Sequence, residues 1–213
     1  MRQLSGVDAL HVLEESAVQH MHTIKLVILG PGPDGPVSVE EIRAWAQERL
    51  PQIPPMRWLV LKIPLGLGRP VFVDAGAFDV DRHLFVEHLA NGDDHEFDEL
   101  VSRITSVQLQ RDRPLWDLTI VEGLQGDRVA MVFKIHHAIM DGQASVRFFE
   151  LAFDSAVDHD FGPVPDRPER VPSRARLMAF ALSSQAKLYG QLPSVARRSM
   201  AASRDKRARK ASG

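Results

Sequence analysis

The sequence VAMVFKIHHAIMDG, residues 129–142, combines an apolar strand pattern with a cluster of ionisable side chains. Residues 129–135 are apolar apart from Lys134, which is typical of a β-strand. Side chains alternate between the two faces of a strand, so His137 continues the apolar face and His136 continues the more polar face. We therefore expect His137, rather than His136, to point into the apolar interior. The apolar face would be formed by Val129, Met131, Phe133 and Ile135, and the other face by Ala130, Val132, Lys134 and His136.

The residues that end this segment predict general-base chemistry. Desolvation on an interior face disfavours the imidazolium, so His137 would be neutral at physiological pH. A neutral imidazole can take the proton of a hydroxyl group while that hydroxyl attacks a carbonyl, which contributes about 10²–10⁴-fold to the rate. Asp141 would fix the turn through backbone donors or a buried arginine. Gly142 would occupy a position where a Cβ clashes or where φ must be positive.

Other chemistries fit the sequence less well. A histidine pair or an Asp-Gly pair alone is usually structural, but together, directly after an apolar strand, they favour a functional site. The chain has no cysteine and no Gly-x-Ser-x-Gly sequence, so a covalent acyl-enzyme route lacks its usual nucleophile. Zinc bound by His136, His137 and Asp141 is an alternative, although adjacent histidines on a strand point to opposite faces.

Helices and strands are mixed irregularly along the chain. Capping patterns at Ser5 and Ser38 begin two helices, and Leu10, Leu13 and Val18 give the first of them an apolar side. Apolar residues at helical spacing predict further helices over 97–109 and 143–153. Predicted strands cover 23–29, 58–63, 71–73, 118–121 and 129–135. With the last two strands forming a hairpin, this order predicts an α/β layered domain over residues 1–160, with a mixed β-sheet and flanking helices.

Residues 161–213 differ in composition from this domain and are interpreted as an interdomain linker. Four prolines between positions 161 and 173 mark the domain edge, and apolar residues at 177, 180, 181 and 188 predict one amphipathic helix. Twelve basic and three acidic residues follow position 165, whereas residues 1–165 hold fourteen basic and twenty-five acidic ones. A basic tail of this kind suits a solvated linker, a membrane-surface contact or a clamp on an acidic protein, and the solvated linker is favoured.

The composition also limits the partners and the compartment. Nucleic-acid binding is not predicted, because no aromatic residues are interleaved with the basic run. No charged-then-apolar leader follows Met1, and the longest apolar run is far shorter than the roughly 20 residues that span a bilayer. Together with the absence of cysteine, this predicts a cytoplasmic protein.

The arrangement His136-His137-x-x-x-Asp141-Gly142 resembles the HHxxxDG motif of the coenzyme A-dependent acyltransferase superfamily, which includes chloramphenicol acetyltransferase and the condensation domains of peptide synthetases. Further segments are similar, in order and spacing, to the bacterial wax ester synthase/diacylglycerol acyltransferases. These segments are Leu4–Asp8 with Met21-His22, then Arg69–Val73 with Phe78–Val80 and His83-Leu84, then Arg113–Trp116 with Glu122–Leu124. The resemblance covers residues 4 to about 150 and implies a chloramphenicol-acetyltransferase-like layered fold.

The resemblance implies a role for each motif residue. His137, which matches the second histidine, would take the proton of the acceptor hydroxyl, and the oxygen would attack the thioester of a long-chain acyl-CoA. His136 and Asp141 would orient the motif. Pro114, Leu115 and Trp116 would be structural or would line the acyl region. The acceptor would be diacylglycerol, a fatty alcohol or both, giving triacylglycerol or wax ester, with acyl-CoA as substrate and no cofactor or metal.

Members of the resembled family are about twice as long, with the motif at the interface of two similar domains. A C-terminal domain is therefore an expected partner, and the chain alone is expected to be inactive. A membrane or lipid-droplet surface, at the inner membrane or at lipid inclusions, is a further expected partner. Two alternatives stay open: another HHxxxDG acyltransferase or condensation-type domain that acts on carrier-bound substrates, and a non-catalytic half-domain that binds lipid or a partner subunit.

Overall fold

The structure, a computed structural model, describes residues 1–76, 78–153, 164, 169–186 and 189 of the 213-residue chain. The described residues fall into two compact units. The first spans Met1–Leu61 and Pro70–Val171, and the second combines Lys62–Arg69 with the described residues from Pro172 onward. The predicted domain boundary at residue 160 and the end of the basic tail, residues 190–213, lie outside the described residues.

The described residues of the first unit contain seven strands and four α-helices. The strands are β1 (Arg2–Gln3), β2 (His22–Leu29), β3 (Trp58–Leu61), β4 (Val71–Asp74), β5 (Leu84–His88), β6 (Trp116–Leu124) and β7 (Arg128–His136). The helices are α1 (Gly6–Glu14), α2 (Val39–Arg49), α3 (Asp94–Ser106) and α4 (Gly142–Phe153).

A four-stranded mixed sheet lies at the centre of this unit. Its strand order is β2-β7-β6-β5, with β7 antiparallel to both neighbours and β5 parallel to β6. Strands β6 and β7 form the predicted hairpin, and the register of β6 shifts between Val121 and Leu124. Gly123 lies in this shift at φ +82°, where a Cβ would come within 2.6 Å of Leu89 O. Only glycine fits both conditions.

The smaller sheet has the order β1-β4-β3 and is antiparallel. A buried guanidinium fixes its end, because Arg57 forms an ion pair with Asp74 at 3.0 Å and donates to Pro51 O at 2.6 Å. The buried Arg57 charge is thus compensated by the partly exposed carboxylate of Asp74.

The helices of the first unit begin where the sequence supplies side-chain caps. Ser5 Oγ accepts the N–H of Asp8 at 3.1 Å at the start of α1. Ser38 and Glu41 form the predicted capping box at the start of α2. Asp93 caps α3 through the N–H of Glu96 at 2.9 Å. Each cap satisfies a backbone donor that has no partner inside its helix.

Two apolar clusters cover the two faces of β7. The larger cluster contains Val129, Met131, Phe133 and Ile135 together with residues of α1, α2 and α4. The smaller one contains Ala130 and Val132 together with Phe97 and Leu100 of α3. The central strand is therefore buried on both sides, and each face packs against a different cluster.

One expectation about these elements is wrong, and one strand was not predicted. Helix α1 buries Ala9 and Val12, whereas Leu10 and Leu13 are each 51% exposed, and Val18 lies beyond the helix end. The face of the helix that packs on the core consists of the smaller residues Ala9 and Val12. The sequence pattern did not predict this face, because Leu10 and Leu13 are larger and also lie at helical spacing. Strand β5 was not predicted, because only its first residue, Leu84, is buried and the segment Leu84–His88 shows no alternation of apolar and polar residues.

The described part of the second unit contains one α-helix, α5, over residues 174–186 and a short 3-10 helix over Pro64–Gly66. Helix α5 buries Leu177 and Ala181, in agreement with the predicted amphipathic helix, while position 188 lies outside the described residues. Gln185 Nε2 donates to Leu67 O at 3.3 Å and joins the two segments of the unit. None of the helices in the described part of the chain has the length and apolarity needed to cross a membrane.

Candidate active site

Three backbone hydrogen bonds hold the turn that follows β7. His136 N donates to Leu115 O at 3.0 Å, and His137 N donates to Met21 O at 2.7 Å. Ile139 N then donates to His136 O at 3.1 Å. Because Leu115 directly precedes β6 and Met21 directly precedes β2, both strands that flank β7 hold its end in place.

His136, and not His137, is the histidine that lies inside the protein. The side chain of His136 is completely buried, whereas His137 is half-buried. The expectation from strand alternation is wrong because β7 is buried on both faces and ends at His136, so alternation does not extend to His137. Burial, followed by the positive charge of Arg111, lowers the pKa of His136 to about 3. Its ring is therefore neutral at physiological pH.

The neutral ring of His136 has a defined tautomer. Its Nδ1 accepts the backbone N–H of Ala138 at 3.0 Å, so the ring proton belongs to Nε2. Nε2 lies 3.6 Å from Oε1 of Glu15. This distance is longer than a hydrogen bond, but it still allows electrostatic attraction between the N–H and the carboxylate.

Glu15 and Arg111 complete the surroundings of His136, and sequence reasoning identified neither. The Glu15 carboxylate is fully buried, its Oε2 pairs with Arg111 Nη2, and its Oε1 accepts the N–H of Met21 at 3.3 Å. Burial lowers the pKa of Arg111. A signal was present in the sequence, since Glu14 and Glu15 stand at the C-terminal end of α1, where the helix dipole disfavours negative charge. A carboxylate there needs a compensating partner elsewhere in the chain.

The second histidine of the motif faces a histidine from α1. The rings of His137 and His11 have centroids 4.3 Å apart and are inclined by 31°. His11 belongs to the last turn of α1, one helical turn before Glu15. Helix α1 therefore presents His11 to His137, and the residue that follows it, Glu15, faces His136.

Four buried side-chain atoms have no hydrogen-bond partner among the described residues, and they belong to His136 and His137, to Glu15 beside His136, and to His22, which pairs with His136 across the strands. They are Glu15 Oε2, His22 Nδ1, His136 Nε2 and His137 Nδ1. Arg111 compensates the first through its ion pair. Buried polar atoms in folded proteins are nearly always hydrogen-bonded, and an exception calls for an explanation such as a catalytic role. Their concentration around His136 and His137 marks this turn as the candidate site.

Asp141 and Gly142 connect this turn to α4. Asp141 is exposed, its Oδ1 accepts the N–H of Ala144 at 2.8 Å, and its backbone oxygen accepts the N–H of Ser145 at 2.8 Å. Asp141 was expected to bind either backbone donors or a buried arginine, and in the structure it binds a backbone donor, the N–H of Ala144. The expectation for Gly142 is wrong, because its φ is not positive and a Cβ would meet nothing within 4 Å. Gly142 is the first residue of α4, where ordinary helical dihedral angles suffice.

Pro114, Leu115 and Trp116 are buried behind the turn. Leu115 holds the backbone of His136 through its carbonyl oxygen. The indole of Trp116 is enclosed in the core, and its Nε1 donates to Met56 O at 2.9 Å. These residues were expected either to be structural or to line the acyl region, and the contacts of Leu115 and Trp116 are those of structural support. The described part of the chain contains no group of three or more histidine, aspartate or glutamate side chains that could hold a metal ion.

Comparison with known proteins identifies the family. The model of the wax ester synthase/diacylglycerol acyltransferase catalytic domain matches residues 4–212. A putative diacylglycerol O-acyltransferase of Mycobacterium tuberculosis strain H37Rv is 36% identical over 198 residues, which are 90% of this chain and 41% of that protein. A probable diacylglycerol O-acyltransferase of the same organism, tgs3, is 33% identical over 186 residues, 84% of this chain and 67% of that protein. This chain thus spans less than half of the first relative.

Solved structures confirm the predicted fold class. The wax ester synthase/diacylglycerol acyltransferase from Marinobacter aquaeolei VT8 is 27% identical, with a TM-score of 0.56 over 68% of this chain and 37% of that one. The first condensation domain of the CDA synthetase is 17% identical, with a TM-score of 0.53 over 71% of this chain and 38% of that one, and shows the fold alone. On the family match, the chain belongs to the wax ester synthase/diacylglycerol acyltransferase family.

Proposed function

We propose that this chain is the N-terminal half of an O-acyltransferase that transfers a long-chain acyl group from acyl-CoA to diacylglycerol or a fatty alcohol. The names of the Mycobacterium relatives support the first acceptor, and the name of the Marinobacter protein supports both. The observation that carries the proposal is the turn after β7, where a half-buried His137 follows a completely buried His136.

His137 is the better candidate for the base of the two histidines. The ring of His136 is sealed from solvent, with Nδ1 bound to a backbone N–H and Nε2 facing the Glu15 carboxylate. No ring atom of His136 is therefore available to a substrate. His137 is partly exposed, and its backbone is fixed by Met21 O. A fixed backbone with an accessible imidazole is the arrangement that general-base catalysis needs.

The proposed reaction is one direct acyl transfer. The imidazole of His137 takes the proton of the acceptor hydroxyl, and the oxygen forms a bond to the thioester carbonyl carbon. The carbon–sulfur bond then breaks, and coenzyme A leaves as a thiolate that receives the proton from the imidazolium. No covalent acyl-enzyme is required, which agrees with the absence of cysteine from the chain.

The proposed partners follow from the length of the chain and from the substrates. This chain spans 41% of its Mycobacterium relative, so we propose that a C-terminal half completes the acyl-CoA and acceptor sites and that the chain alone is inactive. Both acceptors are insoluble in water. The assembled cytoplasmic enzyme is therefore expected to work at a membrane or lipid-inclusion surface.

The test is a coenzyme A release assay on an assembled protein. The chain is co-produced with the C-terminal half of the Mycobacterium relative and given palmitoyl-CoA with dioleoylglycerol or hexadecanol. Released thiol is measured with a chromogenic disulfide, to which this cysteine-free chain contributes no background. We expect turnover by the assembly and none by the 213-residue chain alone. The relative's own two halves, co-produced, are the positive control for assembly.

Replacement of His137 tests its role in the same assay. His137→Ala should lower kcat by about 10²–10⁴-fold, the range for loss of a general base. The matched control is His95→Ala, which removes an exposed histidine on α3 and should leave kcat unchanged. Undiminished turnover by the His137→Ala assembly would support the non-catalytic alternative. Thiol release from an acylated carrier protein, but not from palmitoyl-CoA, would support a condensation-type reaction.

A further inference from the structure

The carboxylate of Glu15 joins groups that come from three separate parts of the chain. Its side chain is 0% exposed. Oε2 pairs with the guanidinium of Arg111, Oε1 accepts the N–H of Met21 at 3.3 Å, and Oε1 lies 3.6 Å from Nε2 of His136. A buried carboxylate without compensation is strongly unfavourable, so all three groups contribute to keeping this one charged.

Two of these contacts lead directly to His137. Met21, whose N–H binds Glu15, uses its carbonyl oxygen to accept the N–H of His137 at 2.7 Å. His136, whose Nε2 faces Glu15, uses Nδ1 to accept the N–H of Ala138 at 3.0 Å. The backbone of His137 is therefore held on one side by Met21 and on the other by His136 and Ala138. Both sides depend on Glu15.

The charge of Glu15 also selects the tautomer of His136. A carboxylate opposite Nε2 favours the tautomer that carries its proton there, which leaves Nδ1 free to accept from Ala138. The other tautomer would turn an N–H of the ring towards the N–H of Ala138 and a lone pair towards the carboxylate. Both of those contacts are repulsive, so the turn would have to open.

We propose that Glu15, held charged by Arg111, is a positioning residue for His137. It fixes the His136 tautomer and the Met21 backbone, and through them the orientation of the His137 imidazole. The inference rests on the proposed function only in so far as His137 is the base. The tautomer and the geometry of the turn can be measured without any reaction.

The first measurement is a spectrum of the imidazole nitrogens of the ¹⁵N-labelled 213-residue chain. The signals of His136 are identified by their loss in His136→Gln. We expect the Nε2–H tautomer in the parent chain and a mixture of tautomers in the double variant Glu15→Gln/Arg111→Met. The double variant replaces the buried Glu15 carboxylate and its half-buried partner Arg111 with neutral side chains of similar size, so no charge is left uncompensated. Thermal unfolding verifies that it is folded.

The second measurement separates kcat from KM in the assembled protein. The double variant should lower kcat by about 10²-fold, the effect of a small misplacement of a catalytic group, with KM for palmitoyl-CoA unchanged. Glu14→Gln is the matched control, because it removes an exposed carboxylate from the adjacent position and should change neither the tautomer nor kcat. A merely structural role would lower the amount of folded protein without this division between kcat and KM.

Two results would overturn the inference. One is a folded double variant in which His136 keeps the parent tautomer. The other is an altered tautomer with an unchanged kcat. If the parent assembly has no turnover, the proposed function fails, but the imidazole spectrum still decides whether Glu15 controls His136. The two failures are thereby distinguished.

Discussion

The indole of Trp116 is fully enclosed and makes specific contacts on several sides. Its Nε1 donates to Met56 O at 2.9 Å, and its ring stacks on His83 with centroids 4.1 Å apart. His83 in turn contacts Trp116 O through Nδ1 at 2.7 Å. The edge of Phe78 completes the enclosure at 5.8 Å. A side chain held in this way belongs to the core, and its removal should act on folding before it acts on substrate.

Replacement of Trp116 should therefore destabilise the chain. Trp116→Phe leaves Met56 O without its donor and is expected to cost about 1–3 kcal/mol of unfolding free energy. Trp116→Ala adds a large cavity and should cost about 3–5 kcal/mol. Urea unfolding measures both, with Trp58→Phe, a half-buried tryptophan on β3, as the control that should lose less. A Trp116→Phe chain of parent stability whose assembly prefers different acyl chain lengths would place the indole in the acyl passage instead.

The residue types of the candidate site were recognisable in the sequence, but their surroundings were not. Strand alternation gives the relative direction of neighbouring side chains and says nothing about which face is sealed. His136 is sealed by Glu15 and Arg111, and these residues come from positions far from it along the chain. The position of Gly142 at a helix start depended on where β7 ends, which the pattern does not specify to one residue.

At the scale of elements, the start of α4 depends on Asp141. Its Oδ1 accepts the N–H of Ala144, and its backbone oxygen accepts from Ser145 N and Ser145 Oγ. This is the geometry of a helix N-cap, in which asparagine serves about as well as aspartate and alanine does not. The HHxxxDG turn is thereby joined to a helix whose Phe148 and Ala152 are buried in the core.

Asp141→Ala should lower the unfolding free energy by about 1 kcal/mol, whereas Asp141→Asn should be close to neutral. Urea unfolding at pH 7.5 measures both. The control is Asp112→Ala, since Asp112 is an exposed partner of Arg82 and exposed ion pairs contribute little. If Asp141→Asn unfolds like the parent chain but loses acyl transfer in the assembly, the carboxylate has a role beyond capping the helix.

Elements with local signals were predictable, and elements defined by distant contacts were not. Ser5 and Ser38 mark helix starts because a cap involves residues only three positions apart. The face that α1 buries and the pairing of β5 with β6 depend on packing and on strand order. These properties depend on how the segments pack around β7, so the sequence pattern of a single segment does not predict them.

At the scale of the whole molecule, the mixed sheet buries two histidines deeply within the same unit. His83 is 1% exposed and His136 is 0% exposed. The layered α/β class was predictable from the irregular order of helices and strands, but these burials follow from the sheet order that brings β7 and β6 to its centre. They have a consequence for the stability of the entire chain.

The unfolding free energy should fall as the pH is lowered through the histidine range. Burial lowers the pKa of His83 to about 4 and that of His136 to about 3, whereas an unfolded chain titrates these groups near pH 6.5. Below pH 6.5 the unfolded chain therefore binds protons that the folded chain does not, so stability is lost as the pH falls. Each group should contribute about 2 kcal/mol between pH 7.5 and pH 5, or about 4 kcal/mol together.

Urea unfolding of the 213-residue chain at pH 7.5, 6.5 and 5.0 measures this loss. The range stops at pH 5 because Glu41, Glu96 and Glu169, whose carboxyl groups have lowered pKa values, lose their contribution only below their ordinary pKa of 4.5. His83→Phe keeps an aromatic ring against Trp116 and removes one of the two deeply buried imidazoles. This variant should be less stable at pH 7.5 and should lose about 2 kcal/mol less than the parent chain on acidification, because the contribution of His83 is gone while those of the other histidines are unchanged. Of those, His136 and His22, whose pKa values burial lowers, still lose stability, whereas His95, whose pKa is raised, gains it. An unfolding free energy that is equal at pH 7.5 and pH 5, or a His83→Phe chain with the full loss, would mean that these imidazoles take up protons in the folded state.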